Sequence, residues 1–378
     1  MKTRDYQICT NCVMDTTDPQ IVFDETGKCD FCNNYYNTIL PSWHPDAEGE
    51  KELLKIAEKI KKETKGKKYN CIIGFSGGVD SSYLCYIVKV KMGLNPLLVS
   101  VDTGWNLNVA VENIERIVKK LKLDLYTEVV NWEEMRDLQL AFLKSQVPYQ
   151  DLPQDHVIFA GVYNYAIKHG VKYIFTGGNN ATEGVKPPYE WTYVNDMRFI
   201  KDVHRKFGSI PLKTMPLCGM LKNRIYYRYI RGMKVVKPLD YVPYDKEEVL
   251  KFLESEFGWE AYKNKHYENV FTRFYEGYYL PVKFNYDKRK CYLSSLILSG
   301  QMTRDEALEE LRQKPYDDVQ VEEDLEYIAK KLEISKEELR KYISGENKTY
   351  RDYKNSFKIL RMFIKIATLL GIEKRNFR

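Results

Sequence analysis

The segment that most constrains the fold is residues 76–82, which read Ser-Gly-Gly-Val-Asp-Ser-Ser and directly follow an apolar run at 69–75. This order predicts a short strand, a glycine-rich turn and the start of a helix. Glycine permits positive φ and a close backbone approach to a ligand, and the first N–H groups of a helix attract phosphate-like anions. The serine hydroxyls can donate, and the aspartate can cap the helix or hold Mg²⁺. We therefore predict an anion-binding turn formed by Ser76, Gly77, Gly78, Asp80, Ser81 and Ser82.

Two common phosphate-binding motifs are excluded at this turn. The G-x-x-x-x-G-K-[ST] spacing of a Walker loop is absent, and no lysine follows the glycines. The G-x-G-x-x-G pattern of a dinucleotide-binding fold is absent as well. The remaining alternative to an anion site is a plain strand-to-helix turn.

Length and composition indicate a globular protein of two or three domains. The chain has 378 residues, of which 44% are hydrophobic and 30% charged, with a formal net charge of +6. This charge suits an anionic small substrate or RNA and does not decide between them. No apolar stretch reaches the ~18–20 residues that cross a bilayer, and the first residues lack the apolar core of a signal peptide. We predict a cytoplasmic protein without membrane contact.

Four of the eight cysteines form two C-x₂-C pairs near the beginning of the chain. Each pair can present two thiolates to one ion, and tetrahedral zinc requires two such pairs. A segment of about 40 residues cannot bury an adequate core, so the metal would supply much of its folding energy. Disulfide bonds between these cysteines are the alternative, but such bonds are rare in cytosolic proteins. We predict a structural Zn²⁺ ribbon or knuckle with the ligands Cys9, Cys12, Cys29 and Cys32.

Strand-like and helical segments alternate from residue 69 onward. Strands are predicted at 70–75, 96–101, 125–130, 171–176 and 234–236, with helices between them. The alternation predicts an α/β domain with a parallel sheet, in which ligands lie at the carboxyl ends of the strands. Two further strand ends are expected to border the site at the turn, and their residues are Asp102, Gly177, Gly178 and Asn179.

The change of pattern along the chain predicts its domain organisation. Beyond residue 256 strand signals become rare, and the last part of the chain indicates helices. The predicted units are a zinc ribbon at 1–40, a linker and helix at 41–68, an α/β domain at 69–256 and a mainly helical region at 257–378.

The turn at 76–82 resembles the pyrophosphate loop (PP-loop) of the ATP pyrophosphatases, which include GMP, NAD and asparagine synthetases and tRNA thiolases. The resemblance implies that the loop holds the β,γ-phosphates of ATP with Mg²⁺. A substrate oxygen then becomes an AMP ester, pyrophosphate leaves, and a nitrogen or sulfur nucleophile displaces AMP. Asp102 and the Gly177–Asn179 segment match positions that border the nucleotide in that family.

The sequence contains neither of two known glutaminase arrangements. Residue 2 is Lys rather than Cys, and the Pro216–Met220 segment around Cys218 lacks the first glycine of a G-x-C-x-G elbow. Any ammonia is therefore expected to come from outside the chain. Paired thiolase cysteines are not recognisable within the α/β domain, and no dedicated RNA-binding module is visible, which disfavours a nucleic-acid partner. A PP-loop tRNA-modifying enzyme, either a thiolase or a lysidine-type ligase, remains the alternative.

The C-terminal part resembles the N-acetyl sugar amidotransferases of the WbpG and PseA type, over segments 265–269, 277–284, 287–290 and 293–304. The resemblance implies conversion of an acetamido group on a nucleotide-activated sugar to an acetamidino group in surface-polysaccharide or nonulosonic acid pathways. It also implies a HisH-like glutaminase and a HisF-like cyclase homologue as partners. The predicted catalytic residues are Asp80, Lys283, Arg289 and Lys290. Second choices for phosphate binding or proton transfer are Lys265, Arg273, His156 and His266.

Overall fold

The computed structural model describes residues 5–193, 196–219, 222–262 and 267–369 of the chain. Its central sheet has five parallel strands in the order β3-β2-β1-β4-β5. Each lies close to its predicted bounds, and the predicted fold class, a parallel α/β domain with an N-terminal four-cysteine cluster and a helical C-terminal region, is confirmed. The strands are β1 (Cys71–Gly74), β2 (Pro96–Asp102), β3 (Asp124–Val129), β4 (Tyr173–Phe175) and β5 (Lys234–Val236).

Helices surround the sheet and form most of the C-terminal region. Two of the helical segments contain π-helical turns, at Ile87–Lys91 after α3 and at Tyr275–Tyr279 after α10. The α-helices are α1 (Asp30–Asn34), α2 (Ala47–Glu63), α3 (Val79–Tyr86), α4 (Asn108–Leu121), α5 (Trp132–Lys144), α6 (Leu152–Lys168), α7 (Asn180–Glu183), α8 (Met197–Phe207), α9 (Lys246–Phe257), α10 (Val270–Phe274), α11 (Leu280–Phe284), α12 (Arg289–Leu298), α13 (Arg304–Arg312), α14 (Asp318–Leu332), α15 (Lys336–Ser344) and α16 (Phe357–Leu369).

Alternating side chains of the buried strands supply two separate cores. In β1, Ile72 packs with α5, α6 and α8 on one face, whereas Cys71 and Ile73 pack with α2, α3, α4 and α9 on the other. This alternation follows from the two-residue period of a strand, and burial on both faces explains why the strands are continuous apolar runs. Within the described ranges, no helix combines the length and apolarity needed to cross a membrane.

The strand order reverses between β1 and β4. From β1 the chain first adds β2 and β3 on one side, and it then returns to add β4 and β5 on the other. The connections that leave β1 and β4 therefore diverge and open a crevice at the carboxyl ends of these strands, which is where open α/β sheets bind ligands. The predicted turn after β1 and the glycines after β4 lie at this crevice.

The C-terminal region is attached to the sheet beside the end of β2. Asn106 and Asn269 form an antiparallel bridge, in which Leu107 N–H donates to Glu268 O at 2.9 Å and Val270 N–H donates to Trp105 O at 3.0 Å. Trp105 is fully buried among the apolar side chains of α10, α14 and α15. This contact places the beginning of the C-terminal region at the crevice.

A proline explains the π-helical turn between α10 and α11. Pro281 has no N–H for the carbonyl of Gly277 four residues earlier, and its ring crowds that carbonyl. The helix accommodates the proline with the wider turn at Tyr275–Tyr279 and ends at Asn285 in the left-handed region, with φ +58°. Such turns alter the phase of a helix locally and are frequent at functional sites.

The N-terminal ribbon docks on α12 and α13. The Arg304 guanidinium donates to the carbonyls of Cys9 and Cys12 at 2.9–3.2 Å. Val13 N–H donates to Ser294 Oγ at 3.3 Å, and the neighbouring Ser295 Oγ accepts the N–H of Val185 at 3.0 Å. One helix therefore joins the ribbon to the segment after β4. The domain bounds at 40, 68 and 256 stay predictions.

The ion pair between Arg273 on α10 and Asp324 on α14 gives a test of this packing. Arg273 Nε and Nη2 donate to the two Asp324 oxygens at 2.9 and 2.7 Å, and the Asp324 side chain is only 4% exposed. Because Arg273→Met leaves a buried carboxylate without its cation, we expect it to lower the free energy of unfolding by about 3–5 kcal/mol, measured by urea denaturation.

Arg116 is the matched control, because it also pairs with carboxylates but at the surface. Arg116→Met should cost less than about 1 kcal/mol. The double variant Arg273→Met/Asp324→Leu should recover most of the loss. Equal losses for the two single variants would contradict the structural role of Arg273.

Candidate active site

The predicted anion-binding turn lies between the end of β1 at Gly74 and the start of α3 at Val79. Gly77 has φ +81°, and a Cβ at this position would lie 2.8 Å from Ala110 O. Glycine is therefore required both for the backbone angle and for the close packing against α4. The Gly77 carbonyl accepts from Trp259 Nε1 at 3.1 Å, which fixes the side of the turn that faces the protein.

Serine side chains fix the side of the turn that faces the crevice. Ser76 Oγ accepts Gly78 N–H at 3.3 Å, and Ser81 Oγ donates to Gly78 O at 3.0 Å. The first N–H groups of a helix have no acceptor within the helix, and the residues Val79–Ser81 that begin α3 line the crevice. The geometry is that of a preformed anion site.

Asp80 is held by groups that follow β4 and β5. The Tyr244 hydroxyl donates to Asp80 Oδ1, and Asn179 Nδ2 donates to the same oxygen at 3.5 Å. Burial and the nearby Asp80 carboxylate hold the pKa of Tyr244 well above its ordinary value, so the phenol remains a donor. A Cβ at Gly177 would lie 3.0 Å from the backbone carbon of Asp80, which shows how closely β4 approaches α3.

The crevice opens into one large cleft with a volume of about 1880 Å³. Its walls include the turn after β1, the glycines after β4, the beginning of α6 and several residues of the C-terminal region. A pocket for a single small ligand typically has a volume of about 300–1,000 Å³, so the cleft has room for two ligands side by side. Glu268 from the C-terminal region reaches the turn itself, because its carboxylate would lie 3.2 Å from a Cβ at Gly78.

A group of charges, the Lys288 cluster, forms another part of the cleft wall. It consists of Asp151, Asp155, Glu276 and Lys288, and the Lys288 ammonium is paired with Glu276. Burial raises the pKa of Asp151 well above its ordinary value, and the Asp155 and Glu276 carboxylates raise it further. Burial acts against the charge on Lys288, but the surrounding carboxylates outweigh it and raise its pKa. The cluster can therefore hold a shared proton in the cleft.

The structure brings most of the predicted turn and strand-end residues to the cleft. Asp102 instead accepts the N–H of Gly104 at 2.8 Å and shapes the turn after β2. Asn179 Oδ1 accepts Thr182 N–H at 2.9 Å and caps α7, while Gly77 packs against α4 and Ser82 is fully buried. The predicted residues that line the cleft are Ser76, Gly78, Asp80, Ser81, Gly177, Gly178 and Arg289.

The three C-terminal cations predicted as catalytic residues do not converge on one point in the structure. The Lys283 ammonium is enclosed away from the cleft and donates to Gln146 Oε1, Ile343 O and Gly345 O at 2.7–3.2 Å. Lys290 pairs with Asp15 of the ribbon at 2.5 Å. Arg289 lines the cleft, but its guanidinium is bound by Asp287 and two backbone carbonyls. Lys283 and Lys290 therefore have structural roles.

The second-choice residues also lie outside the cleft or the described ranges. Arg273 is bound by Asp324, and the Nε2 atom of His156 accepts the N–H of Cys218 at 2.9 Å. Lys265 and His266 lie outside the described residues. The sequence reasoning missed the Lys288 cluster, although two signals were available: the Asp151/Asp155 pair one helical turn apart, and Lys288 inside the quoted 287–290 segment.

The four N-terminal cysteines form a separate, fully buried cluster. Their sulfur atoms lie within 4.8 Å of one another, with three pairs at 3.6–3.8 Å. A tetrahedron of Zn–S bonds of about 2.3 Å has S–S edges of about 3.8 Å, so the arrangement fits zinc. Cys9 Sγ also accepts backbone N–H groups from Cys12 at 3.4 Å and Cys29 at 3.2 Å, which stabilises a thiolate.

Comparisons with known proteins agree with this architecture. A family model described as "LPS biosynthesis protein WbpG-like, C-terminal domain" matches residues 268–367. The uncharacterized protein MJ1599 of Methanocaldococcus jannaschii is 30% identical over 196 residues, which cover 47% of this chain and 68% of that protein. The chain belongs to the same family as MJ1599, and its C-terminal region matches the WbpG-like C-terminal domain.

Two solved structures have a limited likeness to the chain. NMN synthetase from Francisella tularensis is 15% identical, covering 75% of this chain and 92% of that one with a TM-score of 0.32. A predicted subunit of tRNA methyltransferase from Methanocaldococcus jannaschii is 13% identical, covering 49% and 75% with a TM-score of 0.29. The fold assignment rests on the strand order and the loop geometry of the chain itself.

The cysteine cluster gives a direct test by metal analysis. Purified protein should contain zinc with four sulfur neighbours at about 2.3 Å, measured by X-ray absorption. Cys12→Ser should lose most of the metal and unfold the ribbon, because metal binding supplies its folding energy. Cys85→Ala is the control, since Cys85 is equally buried but belongs to the sheet core. Equal metal content in both variants would contradict the assignment.

Proposed function

We propose that the chain is an ATP-dependent amidotransferase that converts the acetamido group of a nucleotide-activated sugar to an acetamidino group. AMP and pyrophosphate are released, and the step belongs to surface-polysaccharide biosynthesis. One observation carries the proposal: the PP-loop and two residues of the WbpG-like region, Glu276 and Lys288, line the same large cleft. This arrangement supports a reaction between ATP, bound at the PP-loop, and a second substrate bound in the same cleft.

ATP is proposed to bind with its β,γ-phosphates at the PP-loop. The N–H groups of the first turn of α3 and the Ser76 and Ser81 hydroxyls supply donors for the phosphate oxygens. The carboxylates of Asp80 and Glu268 beside the loop repel phosphate, so a divalent cation fits between them. Mg²⁺ bound there would neutralise the phosphate charge, with Asp80 as a ligand.

The chemical sequence begins with the acetamido oxygen. This oxygen attacks the α-phosphorus, the bond to the bridging oxygen breaks, and pyrophosphate leaves. The amide carbon is now bonded to a good leaving group, so ammonia can add to it. AMP then departs with the original amide oxygen, and the amidine remains on the sugar. The protein contributes mainly by holding the oxygen in line with phosphorus.

The Lys288 cluster is proposed to act in the step in which ammonia displaces AMP. Ammonium attracted by its carboxylates must lose a proton before its nitrogen can attack. Asp151 and Asp155 can accept that proton, and the Lys288 ammonium can stabilise negative charge on the departing phosphate. Burial and the neighbouring carboxylates raise the pKa of Asp151, which makes it a stronger proton acceptor than an ordinary carboxylate.

Ammonia is proposed to come from a HisH-like glutaminase, with a HisF-like cyclase homologue as the conduit. The geometry around Cys218 supports an external source, because a glutaminase histidine must accept a proton from the thiol. Here the Nε2 atom of His156 accepts the backbone N–H of Cys218 instead. The thiol itself is buried, and burial raises its pKa, which disfavours a nucleophilic thiolate.

Oxygen labelling gives the sharpest test of the proposed reaction. UDP- and CMP-linked acetamido sugars carrying ¹⁸O in the amide carbonyl are incubated with ATP, Mg²⁺ and ammonium. Mass spectrometry should find the label in the AMP phosphate, and the product should contain NH in place of oxygen. Unlabelled AMP would contradict adenylation of the amide. AMP release that requires tRNA and ignores every sugar would favour the tRNA-modifying alternative.

Substitutions of two lysines in the same region distinguish an effect on catalysis from an effect on folding. Lys288→Met should lower AMP formation by about 10²–10³-fold, because it removes a charge from the cleft. Lys283→Met should retain the rate per folded molecule but lower the free energy of unfolding by about 1–3 kcal/mol for each carbonyl left unpaired. Both are measured by AMP release and by denaturation. A larger loss of rate in Lys283→Met would contradict this assignment.

A further inference from the structure

The last helix of the described chain, α16, exposes a row of large apolar side chains. Ile359, Met362, Phe363, Ile366 and Leu369 are between 43% and 78% exposed. Leu360 of the same helix is only 5% exposed and faces the protein. The helix is therefore attached along one side and presents a second apolar side to the surroundings.

Helical spacing places these side chains on one stripe. Positions 359, 362, 363 and 366 follow the i, i+3, i+4, i+7 pattern of a single apolar face. Lys358, Arg361 and Lys365 are exposed along one flank of that stripe, and the helix contains no acidic residue. An apolar face with a cationic border is typical of helices that lie at the surface of a membrane.

The charge of the whole chain is concentrated in this part of the sequence. Residues 354–378 contain seven Lys or Arg residues and one Glu, which gives +6. The chain as a whole has 59 Lys and Arg and 53 Asp and Glu, also +6, so residues 1–353 are balanced at 52 of each. Four of these cations, Lys354, Lys358, Arg361 and Lys365, lie in the described residues on or directly before α16.

We propose that α16 binds the surface of an anionic phospholipid bilayer. The apolar stripe would enter the boundary between headgroups and acyl chains, and the cations would pair with lipid phosphates. This inference replaces the sequence-based expectation of no membrane contact and is independent of the reaction proposed above. The 13 residues of α16 extend about 20 Å, which is less than the ~30 Å hydrocarbon core, so the contact is interfacial.

The charge distribution favours a bilayer over a second copy of the chain. Two copies joined through α16 would bring their like charges together, which disfavours association. A lipid surface is negative throughout, and clusters of four to eight Lys and Arg on an amphipathic helix suit such a surface. Lys358, Arg361 and Lys365 on α16 and Lys354 directly before it make four.

Vesicle flotation of the full-length protein tests the proposal. The protein should float with vesicles of phosphatidylglycerol and phosphatidylethanolamine at low salt and dissociate from them at high salt. It should not bind vesicles of phosphatidylcholine. Arg361→Glu/Lys365→Glu should weaken binding by at least about 30-fold, since each cation contributes about 1 kcal/mol. Phe363→Glu/Ile366→Glu should weaken it by about 100-fold through lost apolar contact.

Variants with the same kinds of substitution at exposed positions of α2 serve as controls for the general effect of changing the protein surface. Leu54→Glu alters an apolar side chain of similar exposure, and Lys51→Glu/Lys59→Glu makes the same change of charge on exposed lysines. Both should bind vesicles like the unmodified protein. AMP formation with dissolved substrates should be unchanged in every variant, because these residues lie outside the cleft.

Three results would overturn the proposal. The first is no binding to anionic vesicles at low salt, and the second is undiminished binding of Phe363→Glu/Ile366→Glu. The third comes from light scattering: a dimer that dissociates in Phe363→Glu/Ile366→Glu would assign the stripe to a second copy of the chain.

Discussion

The close contact between Gly177 and the first turn of α3 determines the shape of the cleft. Because the strand order reverses between β1 and β4, the two connections that leave these strands must diverge, yet their first residues touch. Glycine at position 177 lets β4 approach Asp80 without a side chain between them. The same approach brings Asn179 within reach of the Asp80 carboxylate. The anion-binding turn is thereby held by both halves of the sheet.

The sequence predicted the sheet and the turn well because both depend on local patterns. Apolar runs, glycines and cap residues act over a few neighbouring positions, whereas the order of the strands in the sheet was not predicted. The roles of Lys283, Lys288 and Lys290 could not be predicted in this way. These lysines occur within eight residues, but one is enclosed by carbonyls, one lies in the cleft and one pairs with the ribbon. The directions in which these three side chains point depend on tertiary packing and on the π-helical turn before Pro281, which shifts the phase of the helix.

Polar contacts on α12 connect the three regions of the molecule. Ser294 accepts a bond from the ribbon, Ser295 accepts one from the segment after β4, and Ser299 donates to Ala181 O at 2.9 Å. The helix begins directly after Lys288, so the same element that positions the cleft lysine also bears the ribbon. The four-cysteine cluster is therefore connected to the cleft through α12, although the two sites are far apart in the sequence.

The bond between Val13 and Ser294 joins residues 281 positions apart. At a translation rate of 5–20 residues per second, about 14–56 s pass between the synthesis of the first partner and the second. During this interval α12 has not been synthesised, so the ribbon lacks this part of its docking surface. The proposed zinc ion would then stabilise the ribbon of the nascent chain. Zinc supply would set the yield of folded protein more than the turnover of molecules already made.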